Sequence, residues 1–261
     1  MSILSINSND ADGTDFVSNT DFTIRLKKPL QQVVGFSLLE AIIPFSWYPV
    51  RDLVFPWNTS SFPFDDPPKE IVVPDGHYTV PELIAKLNSL GHGGTPASAQ
   101  YWEFAYDVPT NKISIKSINP DGAEQYIHYD AMSVRTRQTL GFPSHKLTGI
   151  EYVSANNFLD ATHFGAPRTV GSDALYVQTD LMLDSQNTKH YSGSRIMIPV
   201  TVPPLGIIHY SVDADEESIP LTVYQNIQNI RFTVLDAADA QPLPGTRGQP
   251  IYLRIRFHFR H

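Results

Sequence analysis

The chain has 261 residues, with 27 Asp and Glu against 19 Lys and Arg, so its net charge of -8 gives no general electrostatic reason to bind nucleic acid or an anionic membrane and points to protein partners. Cysteine is absent, which excludes a disulfide framework, a thiolate zinc site and a cysteine nucleophile. Hydrophobic residues make up 41% and charged residues 18%, with Pro 21 against Gly 15, the profile of an ordered globular chain built from short interrupted segments rather than a helical bundle.

The first 16 residues carry no basic segment ahead of their brief apolar run and do not read as a signal peptide. No stretch reaches the apolar length of a bilayer span, since the cleanest run, 33–43, is broken by Gly35, Ser37 and Glu40; no transmembrane segment and an intracellular origin are expected. Residues 1–20, rich in Ser, Asn and Asp, read as a flexible arm. Phe22, Ile24 and Leu26 alternate with Thr23 and Arg25 as in a half-buried strand, which Pro29 ends. The next strand, 33–43, is apolar on both faces and stops at Pro44. Residues 47–68, punctuated by proline and aromatic groups, read as an ordered loop.

The most specific local signal runs from Ile71 to Leu83. A strand gives way at Pro74-Asp75-Gly76 to a turn, Tyr78 follows, Thr79 is placed to cap a helix, and Glu82 three residues later completes a capping box. Leu83, Ile84, Leu87 and Leu90 then keep helical spacing up to Gly91. After a small-residue loop at 91–98, the runs 102–108 and 112–118 flank Pro109-Thr110-Asn111 as a hairpin. A second helix is predicted over 132–140, where Leu140 is followed by Gly141 as a left-handed cap and then Phe142. Residues 143–172 read as a long connection. Alternation returns at Leu175, Val177 and Thr179, at Ile196 and Ile198, at Ile207 to Tyr210, and at Ile230, Phe232 and Val234, with a long turn at 235–248. In the closing strand Ile251, Leu253, Ile255, Phe257 and Phe259 share one face, and Tyr252, Arg254, Arg256 and His258 the other.

About ten strand-like runs with two short helices predict a mainly β protein, a single jelly-roll sandwich with an inserted α+β segment. Residues 1–50 hold too few strands to close a sandwich and 171–261 too few to reach eight, so the two blocks are expected to form one discontinuous jelly roll around an insertion at 51–170.

In the order of its short segments the chain resembles the penton, or minor capsid, proteins of virophages and Polinton-type viruses. The segments are Phe22-Thr23-Ile24-Arg25-Leu26 with Pro29-Leu30, Val33-Val34-Gly35-Phe36-Ser37-Leu38-Leu39 running into Ile43-Pro44 and Tyr48, and Gly76-His77-Tyr78-Thr79 with Leu83 and Leu87-Asn88. Leu140-Gly141-Phe142, Leu175-Tyr176-Val177-Gln178-Thr179-Asp180-Leu181, Ile198-Pro199, Asn229-Ile230-Arg231-Phe232 with Leu235-Asp236, and Ile251-Tyr252-Leu253-Arg254-Ile255-Arg256-Phe257 complete the series. The linker Ala237-Ala238-Asp239-Ala240-Gln241-Pro242-Leu243 departs from it by lacking a glycine-rich turn. The resemblance implies a capsid subunit forming homopentamers at five-fold vertices, with a double jelly-roll major capsid protein and further minor capsid proteins as partners, located in the virion after assembly inside the host cell. It implies no catalysis and no cofactor.

Other chemistries find less support in the sequence. The nine histidines show no metal-binding spacing, and His258 and His261 lie three apart on a strand, hence on opposite faces. The acidic run Asp213-Ala214-Asp215-Glu216-Glu217 lacks an EF-hand pattern. Ser192-Gly193-Ser194 lacks the nucleophile-elbow frame, and Asp65-Asp66 sits among prolines. Arg254, Arg256 and Arg260 make the last strand locally basic: either a solvated face or an interface that pairs with an acidic neighbour. Trp47, Trp57 and Trp102 serve either as core groups or as platforms for sugar stacking. The alternative function is therefore a jelly-roll module that binds a carbohydrate or receptor.

Overall fold

The computed structural model describes residues 2–11, 16–58, 69–91, 101–118, 125–142, 150–153, 166–181, 194–212 and 219–260. In chain order the strands are β1 (Ser2–Asn7), β2 (Phe16–Ser18), β3 (Asp21–Pro44), β4 (Leu53–Asn58), β5 (Lys69–Val73), β6 (Trp102–Asp107), β7 (Lys112–Ser117), β8 (Gln125–His128), β9 (Ile150–Val153), β10 (Ala174–Thr179), β11 (Ser194–Pro199), β12 (Ile207–Ser211), β13 (Ile219–Asp236) and β14 (Tyr252–Phe259). The helices are α1 (Val80–Leu90) and α2 (Val134–Leu140). The chain forms two compact units, one from residues 1–47 and 172–261, the other from 48–171.

The first unit is all antiparallel, and its organising element is β3. Its first half pairs with the second half of β13, which continues through β10 to β11; its second half pairs with β14 on one side and β12 on the other, and β14 carries β1. All of these strands belong to one eight-stranded sheet, and within it the pairing of β3 with β13 breaks between Arg25 and Leu30 and again before Val33. Four residues, 26–29, lie opposite the single residue Gln228, whose side-chain amide donates to the carbonyl of Leu26 at 2.7 Å. Pro29 sits inside this bulge, where its missing N–H costs no ladder hydrogen bond, so the proline bends the strand instead of ending it. On β3 the buried apolar side chains are Phe22, Ile24 and Leu26 before the bulge and Val33, Phe36, Leu38, Ala41 and Ile43 beyond it, where two register shifts against β14 change the parity again. These side chains join Ile230, Phe232, Val234, Leu253, Ile255 and Phe257 in one apolar core. The protein is mainly β, and the curled antiparallel sheet of this unit is consistent with a jelly roll.

The arm expected at residues 1–20 is largely packed. All six residues of β1 pair with β14, Ile6 is buried, and Ser8 exchanges hydrogen bonds with Ile251 through both its backbone and its hydroxyl. Thr20 is buried too and its hydroxyl donates to the Leu243 carbonyl at 2.8 Å. Averaging composition over twenty residues hid the short alternation of Leu4 and Ile6 with serines. The turn after β13 manages without a glycine-rich sequence: Ala240 takes φ 56°, the Asp236 carboxylate accepts from the Ala238 N–H, and Asp236 N–H donates to the Gln241 carbonyl.

In the second unit β5, β4, β8 and β9 form a four-stranded sheet, and β6 and β7 form the hairpin expected around Pro109-Thr110-Asn111, with Asn111 at φ 53°. Two expectations fail here. Strand β4 crosses the predicted loop 47–68, with Phe55 and Trp57 buried and Pro56 beyond the stretch that pairs with β8, and β9 interrupts the predicted connection 143–172. Helix α1 buries Leu83, Ile84 and Leu87 in the core that also holds Trp102 and Phe104. Asn88 fixes the register of α1 on β6, accepting from the Phe104 N–H and donating to its carbonyl, both at 2.8 Å. The loop at 91–98 lies, beyond Gly91, outside the described residues.

Helix α1 begins at a full capping box: Thr79 Oγ1 accepts from Glu82 N–H, while Glu82 Oε2 accepts from Thr79 N–H at 2.8 Å. Replacing Thr79 by Ala should cost about 1 kcal/mol in urea unfolding, with Thr79→Ser nearly neutral; equal losses in the two variants would contradict the capping account.

Candidate interaction surface

The outward residues of β1, β14, β3 and β12 form rows fixed by the pairing register. Ser5, Arg254, Glu40 and Ser211 lie side by side across the four strands, and Asn7, Tyr252, Ile42 and His209 form the next row. Cross-strand neighbours on one face are close enough to interact, so Arg254 and Glu40 are placed as an ion pair. Glu40 is instead engaged by His209, Nε2 to Oε1 at 3.0 Å. Arg254 has no ion pair among the described residues. Arg254, Glu40, His209 and Ser211, with Ile3, Leu39, Val212 and Arg256, line an open hollow of about 270 Å³. Arg256 lies opposite Ile3, and Arg260 follows β14 with its backbone N–H donating to the Gln32 carbonyl at 3.1 Å.

The motif residues of the second unit hold local structure. Gly76 exchanges backbone hydrogen bonds with Val50, and a Cβ there would lie 2.7 Å from the ring of Tyr78, whose hydroxyl donates to the Pro74 carbonyl at 2.9 Å. Hydrogen bonds from Thr79 hold the Glu82 carboxyl below its ordinary value. Ser133 caps α2, Gly141 ends it at φ 81°, and Leu140 and Phe142 are buried, the Phe142 ring standing edge-on to Tyr129. Pro74, Gly76, Tyr78, Thr79, Glu82, Leu140, Gly141 and Phe142 belong to the second unit, and the arginines of β14 to the first.

Among the described residues no three His, Asp or Glu side chains converge as a metal site. Ser37 Oγ lies 3.1 Å from His258 Nε2, but no carboxylate orients that imidazole among the described residues. Asp65-Asp66, Ser192-Gly193, the acidic run 213–217 and His92, His145, His163, His190 and His261 fall outside the described residues. Trp47, Trp57 and Trp102 are 5%, 1% and 0% exposed, which removes them as sugar-stacking platforms.

His128 is buried with Nε2 lacking a hydrogen-bond partner, and burial pushes its imidazole below the ordinary histidine value. The unfolded chain therefore takes up a proton at higher pH than the folded one. Stability from this group is full above about pH 6.5 and is lost as pH falls through the folded value. The urea midpoint should fall between pH 7.5 and 5.5, and His128→Gln should flatten that slope; His258, depressed chiefly by burial and then by Arg256, adds to it in the same direction. An unchanged slope in His128→Gln would refute this assignment.

No protein-family model and no curated protein sequence matches the chain. Among solved structures, the chain is similar to the mavirus penton protein, with 11% identity and a TM-score of 0.45 over 98% of each chain. It is also similar to a chain in the cryo-EM structure of the Sputnik virophage, with 12% identity and a TM-score of 0.42 over 99% of this chain and 97% of that one.

Proposed function

We propose that this chain is a virus structural protein, a penton-type minor capsid subunit that closes five-fold vertices as a homopentamer among double jelly-roll major capsomers. On this reading it acts by assembly and not by catalysis, it resides in the virion after assembly in the host cell, and residues 51–170 are an insertion in a jelly roll formed by 1–50 and 171–261.

The observation that supports the reading is the interleaving of the two blocks that carry most of the resembling segments. Phe22 faces Phe232 with ring centroids 5.6 Å apart, and Phe36 is paired with Phe257. Strands from opposite ends of the sequence thus build one antiparallel unit. A closed ring of identical subunits needs repeated heterologous contacts rather than a self-complementary two-fold patch. Light scattering with negative-stain imaging should give five-fold particles of five times the 29.2 kDa subunit mass, and antibody labelling of virus particles should mark their vertices. An obligate two-fold dimer whose interface cannot enter a five-fold ring would overturn the proposal. A monomer forming a one-to-one glycan complex, absent from particles, would favour the recognition module.

A further inference from the structure

Resting on that reading, we infer that the outer face of β1, β14, β3 and β12 is the surface by which one copy of the chain holds the next, with Arg254 anchoring a carboxylate of the neighbouring copy. Three arginines give the end of the chain its basic character, and the structure separates them. Arg256 and Arg260 already interact within the chain. Among the described residues Arg254 has no such interaction, because the carboxylate directly opposite it, Glu40, is engaged by His209. The guanidinium stands on an exposed face with a like charge two residues along the same strand and, among the described residues, no counter-charge of its own.

The setting is that of an interface and not of an ordinary solvated strand. Ile3, opposite Arg256, and Tyr252, two residues before Arg254, have 48% and 45% of their surface exposed on the same face, so apolar and aromatic area adjoins the unpaired charge. Exposed arginine and tyrosine are among the groups that dominate protein–protein contacts. The choice of occupant follows from charge. The chain carries eight more acidic than basic residues, so a locally cationic hollow is complementary to another copy of the same molecule. Arg rather than Lys suits this role, because its planar fork binds both carboxylate oxygens at once.

The test compares the wild type with Arg254→Glu and Arg254→Lys by sedimentation at low and high salt, with thermal melting as a check on folding. Arg254→Glu should weaken self-association by about tenfold or more and abolish its salt sensitivity, with Arg254→Lys between. Since the chain has no cysteine, a Ser5→Cys variant carries one benzophenone beside Arg254. In solution and in assembled particles it should cross-link to a second copy. Five-fold rings that persist unweakened in Arg254→Glu, or adducts only to a different protein, would overturn this inference and leave the vertex reading standing. Absence of rings and of vertex labelling in the wild type would remove the vertex reading, and absence of any copy-to-copy adduct would remove this one.

Discussion

Phe232→Ala is expected to lower the stability of the chain by about 3–5 kcal/mol, enough to leave most of a marginally stable domain unfolded under mild denaturant. Phe232 is fully buried, lies on β13 opposite Phe22 of β3, and is paired on its other side with Thr179 of β10. It thus stands on the strand that joins β3 to β10 in the sheet. Truncation removes the transfer free energy of the ring and leaves a cavity that three hydrogen-bonded strands cannot collapse to fill. The tilted Phe22–Phe232 contact adds a pairwise term, so a double-mutant cycle with Phe22→Ala should show coupling of about 0.5–1.5 kcal/mol. Urea unfolding followed by far-ultraviolet dichroism measures both; a loss under about 1 kcal/mol would contradict the placement of Phe232 in the core.

The second large effect is expected at Gly35, and its cause is space alone. An alanine Cβ at this position would lie 2.9 Å from the backbone carbonyl oxygen of Ile219, closer than such contacts allow. The obstacle is main chain, held in the β3–β13 ladder where Ile219 pairs with Phe36 and Pro220 with Gly35, so no flexible side chain can move aside. On its other flank Gly35 is paired with His258 of β14. Relief requires separating β13 from β3 beside the bulge, at a cost of about 1–3 kcal/mol for Gly35→Ala and more for Gly35→Val. Because Gly35 is not in the left-handed region, the loss should scale with side-chain volume. Equal stability of the wild type, Gly35→Ala and Gly35→Val would show that the two strands do not approach here.

What could be read from the sequence, and what could not, follows from the range of the interactions involved. β14 was legible because Leu253, Ile255 and Phe257 alternate with Tyr252, Arg254 and Arg256 without interruption, and the start of α1 because a capping box spans only four residues. β8 gave no such signal: all four of its residues are buried, so no period marks it. Pro29 reads as a strand end, and Pro56 falls in a stretch that reads as a loop, because the tolerance of a proline depends on where a partner strand ceases to pair, which is a property of register and not of local sequence. The candidate surface shows the same division. Period-two spacing placed three arginines at the end of the chain, but only the register of β12 and β14 on β3 shows that His209 takes up Glu40, 169 residues away, and leaves Arg254 unpaired.

The pairing of β3 with β14 also sets a timetable for synthesis. Residues 33–43, the most apolar run of the chain, leave the ribosome more than two hundred residues before the strand that covers one edge of them. At about 5–20 residues per second, that edge stays without its partner for roughly 10–40 s. All of residues 48–171 emerge within this interval, so the second unit can complete its fold while the first still waits for β12, β13 and β14. An unpaired apolar strand is a template for pairing with other chains, and on a crowded polysome the neighbouring nascent copies carry the same strand. The topology that ties the two ends of the chain together thus places the chain's greatest exposure to misassembly before the polypeptide is finished.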